Sequence, residues 1–241
     1  MALAMVTLGS VAAQNNFRGS ITYKLESTGE TALQIRPEAA TAELKVYDNK
    51  ALTSSPTLTN NAMASYVLVD GNKMYACMDL SQLMMYLEQS EVELDYKGSS
   101  KILVSEEVSQ SAIDSLTIPV TEGFYIEYVD ETKQIAGVDA KKAIFHSFGE
   151  DGVDHQTIAW YNDAMGPAVN MIFNGLRGVM LEMSVDYGEG RQLTYTATEI
   201  KKGKVKEVDM LLPSGYEEIS DEVATKLFQQ IGEELKYLQE E

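Results

Sequence analysis

The chain predicts an α+β domain built on an antiparallel sheet with one buried face. Three observations predict it. Apolar and polar residues alternate through most of the sequence, as in half-buried strands. Gly, Asp and Asn fall between the alternating runs, where hairpins need them. Near the C-terminus the apolar spacing changes to that of a long helix. No repeat, low-complexity run or linker divides the chain, so strands before and after the middle and the final helix form one domain.

The first strand runs from Phe17 to Glu26. Phe17, Ile21, Tyr23 and Leu25 fall on one face, and Arg18, Ser20, Thr22, Lys24 and Glu26 on the other. Ala42, Leu44 and Val46 repeat the pattern against Glu43, Lys45 and Tyr47. Tyr66–Val69 and Lys73–Met78 read as a hairpin around Asp70-Gly71-Asn72. Leu80–Leu87 has helical spacing, and the acidic, Ser-rich stretch that follows to about Ser115 reads as a long loop or irregular insertion.

Order resumes with Phe124–Val129 and Lys142–Phe148, turns at Glu150–Asp154 and continues through Thr157–Tyr161. Val179, Leu181, Met183 and Val185 alternate with Met180, Glu182, Ser184 and Asp186. Tyr187–Gly190 turns the chain into a partner strand where Leu193, Tyr195 and Ala197 alternate with threonines. A short strand over Val205–Leu212 closes at Pro213–Tyr216. The last segment places Val223, Leu227, Phe228, Ile231, Leu235 and Leu238 on one helical face. Ser220 is its N-cap, Asp221 and Glu222 sit in the first turn, and Glu222 and Lys226 pair at i,i+4.

The balance of charges limits the partners. Against 19 Lys and Arg stand 37 Asp and Glu, a net charge of −18 over 241 residues. Nucleic-acid backbones and anionic membranes both demand clustered Lys and Arg, so both are excluded as partners. No stretch reaches the ~20 apolar residues of a membrane-spanning helix. A composition of 44% hydrophobic and 23% charged residues is that of a folded globular chain.

Residues 1–13, MALAMVTLGSVAA, form an uncharged apolar-to-small run with small residues where a signal peptidase cuts. This segment reads as a secretory signal remnant without its basic n-region, followed by a single domain over 14–241 in the periplasm or cell envelope. Cys77 has no cysteine to pair with, and in an apolar strand it reads as a small buried hydrophobe.

Three passages together resemble a family. Phe17-Arg-Gly-Ser-Ile-Thr-Tyr23 is similar to the opening strand of secreted envelope proteins with a lipoprotein-carrier-like fold. Gln134–Ala143 resembles their mid-chain Ile-x-Gly-x-x-x-Lys-Lys-Ala element, and Phe173–Met183 their Gly-Leu-Pro-Gly-Leu-Ile element. Arg177 stands where that element has proline, and the cysteine often found near Val138 is missing. The resemblance implies an open, strongly curved antiparallel half-barrel with a covering helix, whose concavity in related carriers receives acyl chains. A groove of that kind would be lined here by Tyr23, Met74, Trp160, Met183 and Tyr195. Filling the core under the C-terminal helix is the other role open to the same five side chains.

Catalytic patterns are sparse. His146 and His155 lack metal-ligand spacing to each other or to Cys77, so no metal and no cofactor is expected. Glu150, Asp151, Asp154 and His155 lack the ligand order of a calcium loop and read as a solvated turn. Gly188-Glu-Gly190 lacks the third glycine of a dinucleotide site. Asp114-Ser115-Leu116 matches a short O-glycosylation signal, at Ser115, used by some secreted bacterial proteins. The expected function is therefore non-enzymatic: an envelope protein holding a lipid or acyl chain. The alternatives are an envelope interaction module with a protein partner and no small ligand, or a hydrolase working through two carboxylates.

Overall fold

The computed structural model describes residues 17–29, 40–48, 50–55, 65–71, 73–107, 124–148, 152–165, 176, 178–186 and 192–240. Residues 1–13, Ser115 and the turn at 187–190 lie outside them. The strands are β1 (Gly19–Thr28), β2 (Thr41–Tyr47), β3 (Lys50–Ser55), β4 (Ser65–Asp70), β5 (Lys73–Asp79), β6 (Lys101–Glu107), β7 (Phe124–Ile135), β8 (Val138–Phe148), β9 (Asp154–Asn162), β10 (Val179–Asp186), β11 (Gln192–Lys202) and β12 (Glu217–Ile219). The helices among the described residues are α1 (Ser81–Gln89) and α2 (Asp221–Glu240).

All twelve strands form one open sheet in the order β12-β6-β5-β4-β3-β2-β1-β11-β10-β9-β8-β7. It consists of two meanders, β1 to β6 and β7 to β11, joined where β1 pairs antiparallel with β11. Every pairing is antiparallel except β12 with β6. The β7–β11 half curls until β7 contacts β11, without closing. This is the α+β fold with a curved, unclosed antiparallel sheet that the sequence predicts.

Alternation sorts the side chains onto two faces. Across β1–β6 the inner face carries the row Ile21, Leu44, Thr53, Val67, Ala76, Val104, each directly opposite the next. Across β1 and β11–β7 it carries Leu25, Tyr195, Met183, Ala159, Ala143, Tyr128. The second row and its neighbours form the main core cluster, which includes Met165 and Leu176. A second cluster lies at the far end of the same face: Leu83 and Leu87 of α1 and Leu227 and Ile231 of α2 pack with Ile102 of β6 and Met78 of β5. A third lies outside, where Val205 and Met210 cover Leu52 and Leu68.

Three local expectations are corrected. The stretch after α1 is no simple loop, because β6 forms there, Ile102 fully buried between β5 and β12; its Ser and Glu residues hid the strand. Residues 205–212 form no strand. They contain a 3-10 turn, Glu207–Met210, that drops Val205 and Met210 onto the outer face while Val208 and Leu211 point to solvent. The closing strand is β12, beyond Pro213–Tyr216. Val223 does not join the buried face of α2, being 39% exposed, and Ala224 takes its place at 4%. The Ser220 cap and the Glu222–Lys226 pair do form, at 3.3 and 2.7 Å.

Two turn and packing details explain residues in the family-like passages. Ala136 and Gly137 both have positive φ, 46° and 78°, so the Gln134–Ala143 passage contains a two-residue hairpin turn of the type that matches strand twist. Gly19 lies so close to the neighbouring strand that a β-carbon would run into the Lys201 carbonyl. Gly19→Ala should therefore force β1 and β11 apart and cost about 1–3 kcal/mol. A urea midpoint equal to that of the unsubstituted protein would show that the two strands tolerate the separation.

Candidate ligand-binding face

Burial falls steadily along the inner face from β1 toward β6. Ile21 is fully buried, Leu44 is 2% exposed and Thr53 5%, and beyond them Val67, Ala76 and Val104 are only half-buried. The parallel row repeats the trend: Val46 buried, Ala51 7%, Val69 9%, then Met74 half-buried. Val67, Met74, Ala76 and Val104 belong to none of the three core clusters. They form an apolar strip with the packed β1–β3 core on one side and the α1–α2 cluster on the other.

The strip is shaped by residue size. Thr53, Val67, Val69, Ala76 and Val104 are short or β-branched, which suits strands and leaves the sheet surface low. Met74 is the one long side chain among them, unbranched and able to adapt. Residues large enough to fill the space, such as Tyr23 and Leu44, stand on β1 and β2 instead.

The five side chains read from the sequence as groove liners do not converge. Tyr23, Met183 and Tyr195 are enclosed in the main core cluster, at 1%, 0% and 6% exposure. Tyr23 donates its hydroxyl to the Met180 carbonyl at 2.7 Å. Met74 stands on the same face, four strands from β1. Trp160 lies directly opposite Lys142 and Glu182, on the other face, and packs at the margin of the cluster. The Lys133 ammonium lies 4.3 Å from the centre of the Trp160 ring and 2.6 Å from the Glu182 carboxylate. Alternation gave the correct face for four of these residues. It could not show that large side chains near β1 are fully buried while shorter ones nearer β6 stay half-buried.

Titratable groups offer little chemistry near this strip. Cys77 lies on the outer face opposite Tyr66 and Leu103, is buried, and desolvation pushes its thiol above the ordinary value. Among the described residues no group of His, Cys, Asp and Glu is arranged to hold a metal ion. His146 is buried on the outer face, its Nδ1 2.9 Å from Asp154 and its Nε2 3.3 Å from Glu127. A hydrogen bond from Gln156, then the contact with His146, holds the Asp154 carboxyl below the usual range. Asp154 is thus occupied by Gln156 and His146.

No protein-family model matches the chain, and no curated protein is similar to it. Among solved structures it is similar to PNGF-II, at 14% identity and a TM-score of 0.48 over 88% of this chain. It spans only 33% of the length of PNGF-II. It is also similar to the lipoprotein LppX of Mycobacterium tuberculosis, at 12% identity and a TM-score of 0.32, over 78% of this chain and 89% of that one. A LolA superfamily protein of Nitrosomonas europaea matches at 10% identity and a TM-score of 0.26, over 83% and 94% of the two chains. At such TM-scores the fold is defined by the chain's own strand order and helices, and its function by its own side chains.

Burial raises the Tyr23 phenol well above its ordinary value, so the folded protein holds it neutral. The unfolded chain ionises first, near pH 10, and stability is lost as pH rises past that point. Tyr23→Phe should flatten this alkaline loss and cost about 1–3 kcal/mol at neutral pH, because the buried Met180 carbonyl loses its donor. Urea midpoints at pH 7 and pH 10.5 check both effects, and an equally steep alkaline loss in the variant would contradict the first.

Proposed function

We propose that the chain is a non-enzymatic protein of the cell envelope that holds a lipid or acyl chain against the inner face of its sheet. The observation that carries this reading is the half-buried strip of Val67, Met74, Ala76 and Val104 between two packed clusters on one face. A surface of that kind gains when an apolar chain is laid on it. Each buried methylene contributes about 0.8 kcal/mol, so ten give ~8 kcal/mol before the cost of association. The low side chains suit a slender chain, and Met74 can shift to fit it. The family resemblance read from the sequence points to the same ligand class.

In this reading Met74 lines the ligand site. Tyr23, Met183 and Tyr195 are the packed wall beyond its β1 end, and Trp160 braces the outer face through Lys133 and Glu182. The cluster shared by α1 and α2 flanks the other end and acts as the lid. The uncharged run at residues 1–13 supports a secretory address, and Ser115 is the candidate glycosylation site.

A second reading is an envelope interaction module without a small ligand. The filled cluster around Tyr23, Met183 and Tyr195 favours it, since that part of the inner face has no space for a guest. Displacement of a fluorescent fatty acid separates the two readings. Met74→Glu places a charge in the strip at a half-buried position directly opposite Glu106 of β6 in register, a like-charge pairing that costs some stability and makes the fold check essential. Acyl binding should weaken at least about tenfold, with the circular dichroism spectrum unchanged. Equal affinity in the variant, or no binding by the parent protein, moves the assignment to the interaction module.

A further inference from the structure

The outer face of the sheet changes character from its centre to its β7 end. On β1, β2, β10 and β11 it carries Lys24, Glu26, Glu43, Lys45, Ser184, Thr194 and Thr196, the polar side that alternation calls for. On β7–β9 the same face presents Tyr125, Phe148 and Ile158, at 37%, 43% and 44% exposure, with Ile144 half-buried between strands. None of the four belongs to a core cluster. Clustered exposed aromatic and aliphatic residues on a sheet whose opposite face is already packed mark a contact surface.

The patch is also rigid. His146 is fixed between Asp154 and Glu127, and Tyr125 stacks on its ring at 4.2 Å between centres and 6° between planes. Phe148 follows Tyr125 at 6.3 Å. Aromatic side chains held in place before contact lose little freedom on binding. The borders are acidic, since the side chains of Glu127 and Asp154 are 54% and 30% exposed. Both aromatic faces and carboxylates attract cations.

We propose that the Tyr125–Phe148–Ile158 face docks a protein partner through a segment in which Arg or Lys alternates with aliphatic residues. The aliphatic side chains cover Phe148 and Ile158, and the cations lie beside Tyr125 against the exposed Glu127 carboxylate. A second copy of this chain fits poorly, because the acidic borders and a net charge of −18 repel it. This surface lies on the opposite face from the acyl strip, and its use is independent of that reading.

The test is an NMR titration of the isotope-labelled full chain with a synthetic peptide alternating leucine and arginine, and with a matched leucine–glutamate peptide. Shift changes confined to β7–β9, only with the arginine peptide, are expected. Phe148→Ser should weaken binding roughly tenfold, and Glu127→Gln should weaken it and reduce its salt dependence. Changes spread over the polar central face, or an affinity untouched by Phe148→Ser, would overturn the proposal. So would a dimer in sedimentation that Phe148→Ser abolishes, which gives the face to a second copy instead.

Discussion

The double pairing of β1 holds the molecule together. Along all ten of its residues β1 pairs with β11, and over six of them with β2. Its flank is tied down as well: Arg18 stacks on Tyr47 at 3.9 Å and donates to the Val205 carbonyl, 187 positions away. The other antiparallel neighbours follow one another in sequence and form as local hairpins or short crossings. The β1–β11 seam alone joins the chain's first described strand to the end of its second meander. Non-local pairings of this kind close a large loop before they return any contact energy, so the seam governs cooperativity.

From the seam follows the division of labour between the faces. Because β1 aligns the two meanders in one sheet, their apolar residues share one inner face. The large side chains gather at the seam, where curvature brings β1, β2 and β7–β11 together, and fill the space completely. Toward β6 the side chains become small and the packing ends before the helical cluster begins. The half-buried strip is the interval between those two packed regions. On the outer face the same alternation leaves polar residues at the seam and an aromatic surface at the β7 end.

Much of this was legible in the sequence, for a physical reason. Alternation in β1, β2 and β11 is strict because only one face is buried, and both helices carry clear apolar stripes. The β4–β5 hairpin followed from Asp70-Gly71. Signals failed where residues serve a local purpose that composition conceals. In β6 the apolar run Ile102-Leu103-Val104 is short and lies between Ser-, Lys- and Glu-rich stretches, and β12 is only three residues long. Segment 205–212 looked apolar enough for a strand, yet it is a strap that buries Val205 and Met210 alone. The site was legible as a face and not as a place. Tyr23, Met74, Met183 and Tyr195 share that face, but packing buries three of them and leaves Met74 half-buried. Trp160 stands on the outer side because it alternates in β9 with Ala159 and Tyr161, the buried residues that take the inner face.

The central claim is that the interval between the two inner-face clusters holds an acyl chain. The most direct measurement is mass spectrometry of an organic-solvent extract of the full chain, purified from a periplasm without detergent. A lipid or acylated species near one equivalent per protein is the predicted result, lost in the Met74→Glu variant. A clean extract, repeated after incubation with envelope lipids, would contradict the claim and leave the strip as a shallow, unoccupied part of a sheet that works through its surfaces alone.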